Sequence, residues 1–123
     1  MKFILKDSKR AEELVSSMSI NELIDQCICP SLGVKTIGDA REHGAIFMHV
    51  AEKAELKETI HKYKARCKIP PLVAGDFESG SRGMLADAIK FPSQMGVSQT
   101  NSPELAYEIG KQTAKEVLDV GYN

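Results

Sequence analysis

Two short apolar runs, each bounded by glycine and separated by one amphipathic stretch, constrain this chain more than any other feature. Gly44-Ala45-Ile46-Phe47-Met48-His49 and Leu72-Val73-Ala74-Gly75 are continuous rather than alternating in polarity, which is the pattern of strands covered on both faces in a parallel sheet. Between them Leu56, Ile60, Tyr63 and Cys67 recur at helical spacing among Glu and Lys residues, predicting an amphipathic helix over 51–67 that Ile69-Pro70-Pro71 stops. A strand, a helix and a second strand of these lengths imply a right-handed crossover and a parallel α/β sheet.

The flanks extend this plan. Ala11, Leu14, Val15 and Met18 place one apolar stripe on a short helix. Ser19-Ile20-Asn21-Glu22 reads as a capping box opening a second helix, with Ile20, Leu23, Ile24, Cys27 and Ile28 continuing the apolar face and Pro30 as its stop. A loop containing Gly33 and Gly38 follows. Near the other end Ser102 is the expected N-cap and Pro103 the first helical residue; Leu105, Ile109, Thr113 and Val117 line one side, and Gly121 ends the helix. Tyr122-Asn123 falls where a third strand should begin. Two strand–helix units cannot close a parallel sheet, and an eight-unit barrel needs about 250 residues. No internal repeat, low-complexity tract or linker marks a second domain.

Sixteen Lys and Arg against 17 Asp and Glu give a formal net charge of −1, so no field draws nucleic acid or an acidic membrane surface, and neither is an expected partner. Phe3-Ile4-Leu5 is far shorter than a leader core of roughly 7–15 apolar residues, and the expected location is cytoplasmic. Three cysteines, Cys27, Cys29 and Cys67, cannot all pair within one chain. Reduced, partly buried thiols are the expectation, with a metal site built from the three and a histidine as the minor alternative. No cofactor or metal is expected.

The candidate chemistry lies after the second apolar run. Ligands of parallel α/β folds sit at the carboxyl ends of the strands, so Asp76, directly after Leu72-Val73-Ala74-Gly75, is the leading site residue. Its two oxygens could accept from two neighbouring hydroxyls of a ligand. Glu78 adds a second acceptor or braces the loop, Gly80 and Gly83 permit unusual backbone, and Arg82, counted with Asp76, Glu78 and His49 among the candidate substrate-binding residues, could pair with Glu78 or Asp76 and hold the loop's shape. Local composition suits a purely structural turn equally well. His49, at the end of a strand, is a candidate ligand contact, whereas His43 and His61 are read as bystanders.

Ile69-Pro70-Pro71-Leu72-Val73-Ala74-Gly75-Asp76-Phe77-Glu78-Ser79-Gly80 resembles the second-strand signature of family 3 glycoside hydrolases. Phe91-Pro92-Ser93-Gln94-Met95-Gly96 resembles that family's Phe-Pro segment and Met-Gly turn, and the helix from Ala106 to Glu116 with Gly121-Tyr122-Asn123 resembles its helix ending in Glu and then Gly-Ile-Asn. The resemblance covers nearly the whole chain. It implies an α/β fold that is a partial TIM (β/α)8 barrel, with parallel strands near 44–49 and 71–75 preceded by two helices. Residues 1–123 would form the N-terminal portion of a single barrel domain, cut at the start of the next strand.

The resemblance also implies that Asp76 holds hydroxyls of the sugar in the cleavage subsite. The expected parent activity is hydrolysis of a β-linked sugar, of β-glucosidase or β-N-acetylhexosaminidase type, and the Asp-x-Glu-x-Gly loop leans towards the latter. Ser79 departs from the Gly or His of many members. Retaining glycosidases need a nucleophile and an acid, and the resemblance places both beyond residue 123, so no catalytic residue is expected here and the chain alone should be inactive.

Two rivals remain. One is a non-catalytic interaction module, since an open sheet has exposed edges that favour self-association. The other is a phosphate- or nucleotide-binding domain, because Gly75-x-x-x-x-Gly80-Ser81-Arg82 approaches a P-loop, although the Lys is missing and Asp76 and Glu78 would repel phosphate.

Overall fold

The computed structural model describes residues 8–123; Phe3-Ile4-Leu5, on which the expected location was argued, lies outside them. Helices α1 (Ser8–Ser16) and α2 (Ile20–Gln26) lead into strand β1 (Ser31–Leu32), a 3-10 turn at Ile37–Asp39, strand β2 (Ala45–Met48) and helix α3 (Lys53–Arg66). Strand β3 (Leu72–Ala74), a second 3-10 turn at Ser81–Gly83, short helix α4 (Gln94–Ser98) and long helix α5 (Pro103–Val120) complete the order. The strands form one parallel sheet in the order β1-β2-β3.

The fold is therefore α/β with a three-stranded sheet, and β1 corrects the expectation that the strand at 44–49 comes first. Ser31-Leu32 lies in a stretch read as loop because two residues carry no periodicity. Pairing defines it instead: the Phe47 amide donates to Pro30 O at 2.9 Å and the His49 amide to Leu32 O at 2.8 Å. The second helix also stops at Gln26, with Cys27 as C-cap, and does not run to Pro30. Its opening is as expected, since Ser19 and Glu22 form a reciprocal capping box.

The register decides which side of the sheet is covered. Ile46 pairs with Val73, and Ala45 and Phe47 pair with Leu72 and Ala74; alternation then sends Ile46, Met48 and Val73 to one face. That face is buried with Leu56 and Ile60 of α3, Val117 and Val120 of α5, and Leu85 and Tyr122. Each such side chain contributes about 1.5–3 kcal/mol when fully buried. The opposite face carries Ala45, Phe47, Leu72 and Ala74 and is open, with Leu72 63% exposed.

Helices α3 and α5 are also tied by charge, as Lys53 and Lys57 both reach Asp119. At the β3 edge the Asn123 side chain accepts the Val73 amide at 2.8 Å, and the Asn123 amide lies 3.4 Å from Val73 O. Tyr122-Asn123 thus comes alongside β3, where the third strand of the sequence reading was expected to begin.

The apolar stripe of the first two helices does not enter the core. Val15, Ile20, Ile24 and Ile28 are 41–70% exposed. Instead α2 is anchored by polar contacts: buried Asp25 pairs with Arg41 at 2.6 Å, and its carbonyl accepts the Gly44 amide. Gly44 makes this approach possible, because a Cβ there would lie 2.3 Å from the Gln26 carbonyl oxygen. Gly44→Ala should destabilise the fold by about 1–3 kcal/mol, read as a lower denaturation midpoint. Gly38→Ala, where a Cβ meets nothing within 4 Å, should shift it by less than about 0.5 kcal/mol.

Candidate functional site

The segment after β3 folds back over the strand ends. The Phe77 ring meets Tyr122 edge-on, with centroids 5.1 Å apart, and burial of Tyr122 pushes its phenol up to about 12. Gly80 adopts φ +74 and packs against Phe91, whose Cδ2 would be 2.6 Å from an added Cβ; both demands exclude a side chain. At Gly83 the requirement is space alone, since a Cβ would sit 2.5 Å from the Asp76 carbonyl oxygen. The chain beyond pairs with Ala51, three residues past β2: Ala51 donates to Met84 O and Ala86 to Ala51 O. Asp87 then accepts the Lys53 amide at 2.9 Å, serving the start of α3.

One buried contact locks this loop to α5. Ser81 is fully buried and its hydroxyl donates to Glu116, whose other oxygen accepts from Gln112 Nε2 at 2.9 Å. These donors, Ser81 first, hold the Glu116 carboxyl below its ordinary value of 4.5. The sequence reading had Glu116 only as part of a helix and missed the brace, because no local pattern links residues 35 positions apart. The partly buried Thr113 hydroxyl next to this brace has no partner among the described residues.

Asp76 is exposed two residues past the end of β3 and makes no side-chain hydrogen bond or ion pair with any described residue. Its carboxylate is neither a helix cap nor a turn brace. Glu78 is exposed too; its main-chain carbonyl, not its carboxylate, accepts from Gln94 Nε2 at 3.1 Å. Arg82 forms neither of the pairs considered for it. Its guanidinium donates to Ala88 O at 3.3 Å, so it steadies the outgoing chain and leaves the acidic side chains alone.

His49 stands one residue past β2 and its Nε2 lies 2.8 Å from Ser31 Oγ. By strand alternation it belongs to the open face of Ala45 and Phe47. His43 is half-buried beside Asp25, with Nδ1 3.9 Å from that carboxylate, and His61 is exposed.

Cys27 and Cys29 are exposed rather than partly buried as expected, while Cys67 is half-buried and desolvation raises its thiol. Among the described residues no three His, Cys, Asp or Glu side chains group as metal ligands, and no helix is long and apolar enough to cross a membrane.

A cavity of about 710 Å³ is a separate groove between this loop and α5. Phe77, Phe91, Val97, Ile109 and Val117 give it apolar walls; Glu78 touches it, but Asp76, Arg82 and His49 do not. The Asp76 carboxylate stands outside this groove, whose lining also carries Gln94, Asn101 and the Thr113 hydroxyl.

The Glycosyl hydrolase family 3 N terminal domain matches residues 13–123. The chain belongs to this family. Among solved structures, one titled "Beta-glucoside phosphorylase BglX bound to 2FGlc" superposes with a TM-score of 0.84 over 93% of this chain at 24% identity, a likeness that shows the fold. The present chain spans 22% of that protein's length. Among curated proteins none matches this sequence.

Removing the brace should loosen the family 3 loop without unfolding the sheet. Ser81→Ala is expected to destabilise the protein by about 1–3 kcal/mol at neutral pH. Because the Glu116 pKa is depressed by folding, its contribution is full above about the unfolded value of 4.5 and is lost as pH falls through the lower folded value. Denaturation measured from pH 7 to 3 should therefore show a smaller acid-side decline in Ser81→Ala than in the unaltered protein.

Proposed function

We propose that this chain supplies sugar-recognising strand ends to a glycosidase-type catalytic domain acting on a β-linked sugar, of β-glucosidase or β-N-acetylhexosaminidase type. The observation that carries the reading is the Asp76 carboxylate, exposed just past a parallel strand with both oxygens uncommitted among the described residues. Two adjacent ring hydroxyls can donate to such a group, and each charge-assisted bond is worth about 1.5–3 kcal/mol. The neighbour whose title names a β-glucoside phosphorylase supports the β-glucoside side of this reading.

In this proposal residues 1–123 are the N-terminal portion of one (β/α)8-barrel domain. Glu78 and His49 extend the polar rim around Asp76, whereas Arg82 contributes through the shape of the loop. The residues here hold and orient the sugar. Bond cleavage needs a nucleophile and an acid set about 5–5.5 Å apart in a retaining enzyme, and the proposal assigns neither to this chain, so turnover by the 123 residues alone is expected to be absent.

Isothermal titration with methyl β-glucoside and methyl N-acetyl-β-glucosaminide tests this reading. Asp76→Ala should weaken binding about 10- to 100-fold, with the thermal midpoint unchanged because the side chain is exposed. Equal affinity in the variant and the unaltered chain would remove Asp76 from the site. Tight nucleotide binding with no sugar binding would favour a phosphate-binding domain instead.

A further inference from the structure

Seating of the His49 imidazole depends on two residues of the preceding strand end that the sequence reading passed over as loop. Ser31 pairs with Phe47 in the β1–β2 register, so its side chain shares the open face with that residue and with His49. The His49 main chain is already fixed, since its amide donates to Leu32 O at 2.8 Å. The ring then leans back along the sheet until Nε2 meets Ser31 Oγ at 2.8 Å. Gly33 clears the other side: a Cβ there would lie 3.3 Å from His49 Nδ1. Gly33 is not among the positive-φ residues, so its missing side chain matters for the room it leaves.

We propose that Ser31 and Gly33 form a seat for His49, and that Ser31 is a positioning residue that turns Nδ1 into a sugar-hydroxyl contact on the same strand-end face as Asp76. Nε2 is occupied by Ser31, and Nδ1 has no hydrogen-bond partner among the described residues. The Ser31 hydroxyl can donate to Nε2 or accept from it, so the bond sets the direction of the ring and leaves Nδ1 to meet a sugar hydroxyl as acceptor or donor. Both residues are exposed, and a hydrogen bond open to water does little for folding. Its effect lies in ring orientation. The inference rests on the sugar reading of this face and adds to it a second, oriented nitrogen.

The test uses the full chain labelled with 15N-histidine, observed at a pH where the imidazole is neutral, together with titration of methyl β-glucoside. The unaltered protein should show His49 ring-nitrogen shifts set by the bond to Ser31. Ser31→Ala should move those shifts and give about a three- to tenfold loss of sugar affinity, while Ser31→Thr, which keeps the hydroxyl, restores both. Gly33→Ala should displace the ring signals although Ser31 is intact.

Ring-nitrogen shifts that are the same in Ser31→Ala and the unaltered chain would overturn the seat. Altered shifts with undiminished affinity would overturn the sugar contact. Should the unaltered chain bind no methyl β-glucoside, the sugar reading fails by itself, and the nitrogen shifts alone still decide for or against the seat.

Discussion

The pairing of Ile46 with Val73 governs this structure, because it assigns opposite fates to the two faces of a small parallel sheet. Ile46, Met48 and Val73 are sealed beneath α3 and α5, while Ala45, Phe47, Leu72 and Ala74 remain on the other side. A slip of one residue would exchange the two sets. The same alternation carries His49 to the open face beyond β2, and the direction of the strands brings Asp76 out at their carboxyl end. Core and candidate site are thus consequences of one register.

Around that register the loop after β3 is built as a rigid bracket. Phe77 rests on Tyr122, Gly80 admits Phe91, Gly83 admits the Asp76 carbonyl, and Ser81 bonds Glu116 of α5. None of these contacts consumes the Asp76 carboxylate. The backbone of the loop is committed to structure while the Asp76 side chain makes no hydrogen bond or ion pair among the described residues, and in the proposed reading it is thereby held without being neutralised.

What the sequence made legible follows physical range. Helix ends set by neighbouring atoms were readable: the Ser19–Glu22 box, Ser102 and Pro103 opening α5, and Gly121 closing it with φ +111. So were β2 and β3, although their apolar runs were read as covered on both faces and only the Ile46, Met48 and Val73 face is buried, with Leu72 63% exposed on the other. Strand β1 was not, since two residues become a strand only through hydrogen bonds to Phe47 and His49. The exposed apolar face of Ile20 and Ile24 shows the same limit from the other side, because periodicity reports a face suited to burial and says nothing of what covers it. At the site, Asp76 and His49 were named from strand ends alone, but the Arg82–Ala88 contact and the Ser81–Glu116 and Ser31–His49 pairs depend on distant segments meeting. In the proposed reading these strand ends supply the polar contacts to a glycoside.

Backbone amide shift mapping during addition of methyl β-glucoside separates the strand-end face from the apolar groove under α5 most directly. The account predicts saturable shifts at Gly75, Asp76 and Phe77 and at His49, with Ile109, Gly110 and Ala114 in the groove unmoved. Shifts confined to those three groove residues, with Asp76 silent at saturation, would contradict it.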